Sequence, residues 1–158
     1  MGNQQTIQGE GARKPNRLLR RILLIELLFV GIGALGGGGA ALISPDGSLM
    51  QAQTLIPALQ DLPLVGPLID SLLLPASALL LFVFVPQTLA AIFLLRKRPR
   101  QYTAGIVAGI LLMLFTLVEL IFLFNVLSII YFALGASEVA LSYLCGSAFR
   151  AGSSQGSA

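Results

Sequence analysis

The stretch Gly31–Gly39, GIGALGGGG, lies inside an apolar run from Ile22 to Ile43 and decides the fold class. In water, so many glycines would be typical of a flexible linker. Here hydrocarbon side chains flank them on both sides, and the run can cross a ~30 Å hydrocarbon layer as a helix, which needs roughly 20 residues. In lipid the backbone must satisfy its own hydrogen bonds, so the run stays helical and its glycines allow a second helix to come close. We expect the other helices to pack against this one.

The composition supports a membrane protein. Of the 158 residues, 56% are hydrophobic and 11% are charged, whereas charged residues make up about 25% of soluble domains. The apolar residues also form long blocks rather than amphipathic stripes. The chain is long enough for one domain.

Cysteine and histidine usage excludes several kinds of site. Cys145 is the single cysteine, and there is no histidine. A disulfide within the chain, a zinc site, a bis-histidine haem site and a Cys-x-x-Cys redox motif therefore all lack the residues they need.

Four apolar blocks predict an all-α integral membrane four-helix bundle. The predicted domain, 18–149, lies between a disordered cytoplasmic N-terminus, 1–17, and a disordered cytoplasmic tail, 150–158. A kink is expected near Phe82 to Pro86, because an interior proline removes a helix hydrogen bond. The predicted spans are 22–43, 72–95, 103–124 and 129–149.

The connection from Ser44 to Ser71 is predicted to be a proline-rich, partly helical outer loop. It opens with the turn signal SPDGS. Its remaining sequence is too apolar for a freely solvated loop and too interrupted by Pro57, Pro63 and Pro67 for a span. We expect short helical turns that lie at the interface over the mouth of the bundle.

Clustered basic residues predict the orientation. Five lie between Arg13 and Arg21 and four between Arg96 and Arg100, and the 44–71 loop has none. With four spans, this alternation places both termini in the cytoplasm. Nucleic-acid binding is a second interpretation of the charge, but no nucleic-acid-binding motif accompanies it. A signal peptide cleaved near Ala40 is also open, although the run is longer than the usual ~7–15-residue apolar region.

Three carboxylates lie within the apolar blocks: Glu26, Glu119 and Glu138. Each is a functional hypothesis by default, because an ionisable group at mid-membrane costs at least about 2–3 kcal/mol. Glu26 is expected near the cytoplasmic end of the first span, where it either pairs with Arg96 or Arg98 or snorkels to the interface.

The other two carboxylates are expected at different depths. Glu138 lies midway along the fourth span and Glu119 toward the outer end of the third, ~10 Å apart by helical rise, so a shared proton is not expected. Both structural hydrogen bonding and proton or ligand handling stay open for them. Gln87 is likewise either ligand-facing or an interhelical hydrogen-bonding group. The candidate partners of the carboxylates are Gln87, Thr88, Thr116, Tyr131 and Ser137.

Two glycine pairs, Gly33/Gly37 and Gly105/Gly109, have the small-x-x-x-small spacing typical of close helix contacts. The string Gly-x-Gly-x-x-Gly that begins at Gly31 is not a dinucleotide fingerprint, because it lies in a lipid-spanning helix with no strand before it.

Short motifs accompany the apolar blocks. They are Ser44–Ser48 after the first span, Pro67–Asp70 and Leu74-Pro75 before the second, Arg96–Arg98 after it, and Ile130–Gly135 in the fourth. In this layout the chain resembles small bacterial four-span membrane proteins of unassigned function. The resemblance implies a bacterial inner-membrane location and supplies no activity. The span count also fits small multidrug transporters, but their aromatic pocket has no counterpart here and tryptophan is absent.

The sequence predicts a non-enzymatic protein: an accessory, scaffold or lipid-interacting membrane subunit. No nucleophile–base pair, phosphate loop or metal cluster is visible, so no catalytic residue, metal ligand or cofactor is predicted. The expected partners are the lipid bilayer and either another membrane protein or a second copy, and not nucleic acid. The alternative is a small transporter or proton-coupled permease that uses Glu138, Glu119 and Gln87.

Overall fold

The apolar blocks form helices in a computed structural model, which describes residues 17–51, 53–61, 66–122 and 126–154. These residues contain no strand. They form α1 (Arg17–Ile43), α2 (Leu55–Gln60), α3 (Leu73–Leu79), α4 (Val85–Leu95), α5 (Gln101–Phe122) and α6 (Val126–Ser154).

Three helical stretches in the described part are long and apolar enough to cross a membrane. They are Leu73–Leu95, Gln101–Ile121 and Val126–Ala148, with 23, 21 and 23 residues. The first of them comprises α3 and α4, joined by the π-helical segment Leu80–Phe84. The chain therefore has the helices of a multi-pass membrane protein, as predicted. The four-span bundle is not established, because α1 is not among these three stretches.

The second long helix departs from α geometry where the sequence predicts a kink. Pro86 has no amide hydrogen and leaves a carbonyl of the preceding turn without its usual donor. The wider π turns come directly before it, and the Val85 amide donates to the Leu80 carbonyl. Such π turns often interrupt α-helices at functional positions, and Gln87 is the residue that follows Pro86.

The first helix begins earlier than the predicted span. It starts at Arg17 rather than near Ile22, because arginine is a good helix former and because the Arg20 guanidinium donates to the carbonyl of Leu94. This contact brings the start of α1 beside the end of α4. The predicted disordered N-terminus lies almost entirely outside the described residues.

The last helix is longer than predicted at both ends. It begins at Val126, so Ser128, which lies between the predicted spans 103–124 and 129–149, is helical. It continues to Ser154, past the predicted end near Phe149 and into the predicted tail. Residues 123–125 of the turn and 155–158 of the tail lie outside the described residues.

The connection between α1 and α3 opens with a hydrogen-bonded turn. The Asp46 carboxylate accepts from the Ser44 hydroxyl at 2.5 Å, and from the Ser48 hydroxyl and amide at 2.9 and 3.2 Å. These hydrogen bonds, led by that from Ser44, hold the pKa of Asp46 below its ordinary value. Gly47 supplies the positive φ, 75°, that the turn requires.

The described residues in the rest of this connection pack against α1 and α3. It contains α2 and two 3₁₀ turns. Leu59 and Ile69 are buried in one apolar cluster with Ala41 of α1 and Ala76 of α3. The Gln60 side-chain amide donates to the Ile69 carbonyl at 2.9 Å. Residues 62–65, including the predicted loop proline at 63, lie outside the described residues.

The closest helix contact in the described part joins α5 to α6. A Cβ on Gly109 would lie 2.7 Å from the Gly135 carbonyl oxygen, and one on Gly135 would lie 2.9 Å from that of Gly109. The side chain of Ser142 fills the space beside Gly105. Of the first predicted pair, Gly33 faces the Tyr131 hydroxyl, and Gly37 faces Leu79.

We predict that Gly109→Ala lowers the free energy of unfolding by about 1–3 kcal/mol, because the new methyl group overpacks the α5–α6 contact. Gly36→Ala is the matched control, since a Cβ there meets nothing within 4 Å. The control should be neutral, or stabilising by up to about 1 kcal/mol through helix propensity. Reversible unfolding in mixed micelles measures both, and equal losses would contradict the predicted contact.

Candidate functional site

Two fully buried polar side chains meet at the centre of the helices. Gln87 of α4 and Glu138 of α6 are both 0% exposed, and the Gln87 side-chain amide donates to Oε2 of Glu138 at 2.8 Å. Gln87 is one of the candidate partners predicted from the sequence. Since a hydrogen bond to a charged or polar group matters most where water is excluded, this contact anchors α4 to α6.

Glu26 of α1 joins the same region. Its Oε1 accepts a hydrogen bond from the Ser137 hydroxyl at 3.0 Å, and Ser137 is the residue before Glu138 on α6. We call Glu26, Gln87, Ser137 and Glu138 the polar cluster. Adjacent residues on a helix point about 100° apart, so Ser137 reaches α1 while Glu138 reaches α4.

Of the two expectations for Glu26, the pairing with Arg96 or Arg98 is wrong. Its Oε1 accepts from Ser137, and its Oε2 has no hydrogen-bond partner among the described residues. The physical reason is the early start of α1 at Arg17, which places Glu26 about 14 Å along the helix. The arginine that does reach across, Arg20, binds the end of α4 instead.

The polar cluster is only partly satisfied. Oε2 of Glu26, Oε1 of Gln87 and Oε1 of Glu138 are buried and have no hydrogen-bond partner among the described residues. Buried polar atoms are normally paired, and each exception needs a physical explanation. Three acceptor oxygens, each from a different helix, are therefore buried without a donor.

Closely packed backbone encloses the polar cluster. A Cβ on Gly31 would lie 3.6 Å from Cβ of Gln87, and one on Gly109 would lie 3.1 Å from Cβ of Glu138. Val83, one turn before Gln87, belongs to one buried apolar cluster. Ala90, about one turn after Gln87, belongs to another. The polar side chains thus form a thin layer between two apolar parts of the core.

Glu119 belongs to a different place. Its Oε2 accepts from the Ser128 hydroxyl at 2.9 Å, across the α5–α6 connection. Gly109, which faces Glu138, lies ten residues before Glu119, or about 15 Å of helical rise. Ser128 was not among the predicted partners, because it lies between the predicted third and fourth spans. Among the other predicted partners, the Thr116 hydroxyl donates to the Leu112 carbonyl of its own helix.

A surface cavity of about 410 Å³ lies at the end of α4, separate from the polar cluster. Its lining combines apolar and cationic side chains. The residues of this basic cavity are Ile92, Phe93, Arg96, Arg98, Pro99 and Arg100. The sequence indicated its charge as a topology signal, but only the fold brings the aromatic and aliphatic walls beside it.

No protein-family model matches the chain, and neither a curated protein nor a solved structure matches it. The described residues contain no group of three or more His, Cys, Asp or Glu side chains that could hold a metal ion. Cys145 is buried in the apolar core with Leu23 and Tyr102. Among the described residues, the polar cluster and the basic cavity are the two candidate functional regions.

We predict that Gln87→Met and Glu138→Met show coupled effects on stability. Gln87→Met should cost about 1–3 kcal/mol, because it leaves a buried carboxyl group without its donor. The double variant should lose less than the sum, with a coupling of roughly 0.6–1.7 kcal/mol, the range measured between membrane helices. A double-mutant cycle on unfolding in micelles measures this.

The control cycle pairs Gln87→Met with Glu119→Met. These two side chains share no partner among the described contacts, so their effects should add within about 0.3–0.5 kcal/mol. Additivity in the Gln87/Glu138 cycle would contradict the contact between them.

Proposed function

We propose that this protein is a non-enzymatic accessory subunit of a bacterial inner membrane that binds anionic phospholipid at the basic cavity. The cavity carries the proposal. Ile92 and Phe93 offer an apolar wall that suits an acyl chain, and the guanidinium groups of Arg96, Arg98 and Arg100 suit a phosphate, which arginine binds through charge-assisted hydrogen bonds.

A four-span arrangement with α1 as the first span would place this cavity at a membrane surface. The 27 residues of α1 extend about 40 Å, enough to cross the bilayer. Its outward face is apolar: Ile25, Ile32 and Ile43 are 65%, 68% and 81% exposed. Such exposure is costly in water and favourable in lipid.

The proposed orientation has both termini and the basic cavity in the cytoplasm, with the proline-rich loop outside. The contact between Arg20 and the Leu94 carbonyl supports it, since it joins the basic start of α1 to the basic end of α4. At the other end, the Leu72 amide donates to the Pro45 carbonyl at 2.8 Å. Arginine-rich ends remain on the cytoplasmic side.

We predict that single cysteines at Arg21 and Lys97 label from the cytoplasmic side and one at Asp61 from the opposite side. All three positions are exposed, and a Cys145→Ala background removes the native thiol. A membrane-impermeant thiol reagent applied to intact cells and to inverted vesicles reports the side. Labelling of Asp61 and Lys97 from the same side would refute the threading.

We predict that Arg96→Gln with Arg98→Gln weakens binding to anionic vesicles more than Arg17→Gln with Arg21→Gln. Both pairs remove the same charge, worth about 1 kcal/mol per arginine near an anionic surface. Only the first pair removes cavity contacts. The ratio of phosphatidylglycerol to phosphatidylcholine that each variant retains after purification in mild detergent from mixed vesicles measures the difference. Equal losses would reduce the cavity to ordinary surface charge and reject the proposal.

A small transporter or proton-coupled permease is the second candidate, favoured by the unpartnered oxygens of the polar cluster. Its residues would be Glu138 and Gln87, with Glu119 at a separate point on the path. Proton flux into liposomes that depends on Glu138, tested with Glu138→Gln, would support it. Absence of flux with the unaltered protein would favour the accessory role. Co-purification in mild detergent then tests whether the partner is another membrane protein or a second copy.

A further inference from the structure

Three buried oxygens of the polar cluster, which the proposed lipid contact does not use, have no hydrogen-bond partner in the described part of the chain. Gln87 and Glu138 are each 0% exposed, and each keeps one oxygen without a hydrogen-bond partner in the described part of the chain. Oε2 of Glu26 is the third such atom. All three are acceptors when the carboxylates are ionised, so no rearrangement among them can satisfy them without an added positive species.

No cationic side chain is recorded in contact with these oxygens among the described residues. On α1, the residue of the polar cluster is Glu26. Arg20 of the same helix donates to the Leu94 carbonyl at the end of α4. On α4, Arg96 lies nine residues from Gln87, about 14 Å by helical rise. The residue of α5 that faces Glu138 is Gly109, which has no side chain to donate.

The other titratable groups lie further along the helices. On α5, Tyr102 and Glu119 lie about 10 and 15 Å of helical rise from Gly109. On α6, Tyr131 and Cys145 each lie seven residues from Glu138, again about 10 Å. If Glu26 and Glu138 were both ionised in the polar cluster without a counter-charge, burial of each carboxylate would cost several kcal/mol.

We propose that Glu138, Gln87 and Glu26 form an intramembrane binding site for one small monovalent cation, a proton or a sodium ion. When Oε1 of Glu138 carries a proton, this O–H group donates a hydrogen bond to Oε1 of Gln87. Together with the existing 2.8 Å bond from Gln87 to Oε2 of Glu138, this closes a cyclic acid–amide pair. A sodium ion takes the same two oxygens and Oε2 of Glu26 as hard oxygen ligands, the type that alkali and alkaline-earth cations prefer.

Infrared spectroscopy of the full chain in liposomes tests the site and distinguishes the two cations. The signal is the C=O stretch of protonated Glu138, taken as the difference between the unaltered protein and Glu138→Gln. If this band is present in both potassium and sodium buffer, the bound cation is a proton. If the band is present in potassium buffer and a carboxylate band replaces it in sodium buffer, the site binds sodium. Ionised Glu138 in both buffers overturns the proposal.

Two further variants fix the assignment. Glu119→Gln is the matched control and should leave the Glu138 band unchanged, since Glu119 hydrogen-bonds to Ser128 instead. Gln87→Met should shift the band to higher frequency, because the carbonyl of the acid loses its amide donor. This second comparison does not require Glu138→Gln to fold. A band that does not move in Gln87→Met would overturn the acid–amide pair.

Discussion

The enclosed carboxyl group of Glu138 constrains the arrangement of the helices through a hydrogen bond from a different helix. It is fully buried, and its donor, Gln87, comes from another helix. Sliding α4 by one turn would move that donor about 5.4 Å away. Such a shift would leave a buried carboxyl group without its donor, at a cost of about 1–3 kcal/mol. The hydrogen bond between Gln87 and Glu138 therefore opposes a shift in the register of α4 against α6.

Glycine determines how closely the helices that carry this layer can approach. Between α5 and α6, the carbonyl of each facing glycine occupies the space where the other's Cβ would lie. The glycine-rich part of α1 is less uniform. Gly31 and Gly38 lie against Gln87 and Leu80, whereas Gly36 and Gly39 face open space. The expectation that α1 organises the other helices thus holds for α3, α4 and α6, but the tightest contact belongs to α5 and α6.

The sequence predicted the helices well and their pairing poorly. Apolar blocks predict where a helix lies, and the second span, 72–95, differs by one residue from the observed Leu73–Leu95. Periodicity describes which face of a helix is polar, but it cannot say which neighbour that face meets. Gln87 was therefore predicted as a partner without a choice between Glu119 and Glu138. The contact of Glu26 with Ser137 was missed because the helix start, and hence the depth of Glu26, was misplaced.

The two candidate regions are physically separable. The basic cavity lies at the end of α4, where arginine remains hydrated and surface charge is screened by salt within about 10 Å at 0.1 M. The polar cluster lies about 14 Å further along the same helix, in a part of the core from which water is excluded. A headgroup at the arginines would change the local surface potential without contacting the buried oxygens. A cation at Glu138 would change the charge that the helices enclose, with no change in the lining of the cavity. Binding at either region therefore does not require binding at the other, and any coupling between them would have to pass through a shift of α4 itself. Pro86 and the π-helical segment Leu80–Phe84, which precedes α4, lie on the far side of Gln87 from the cavity.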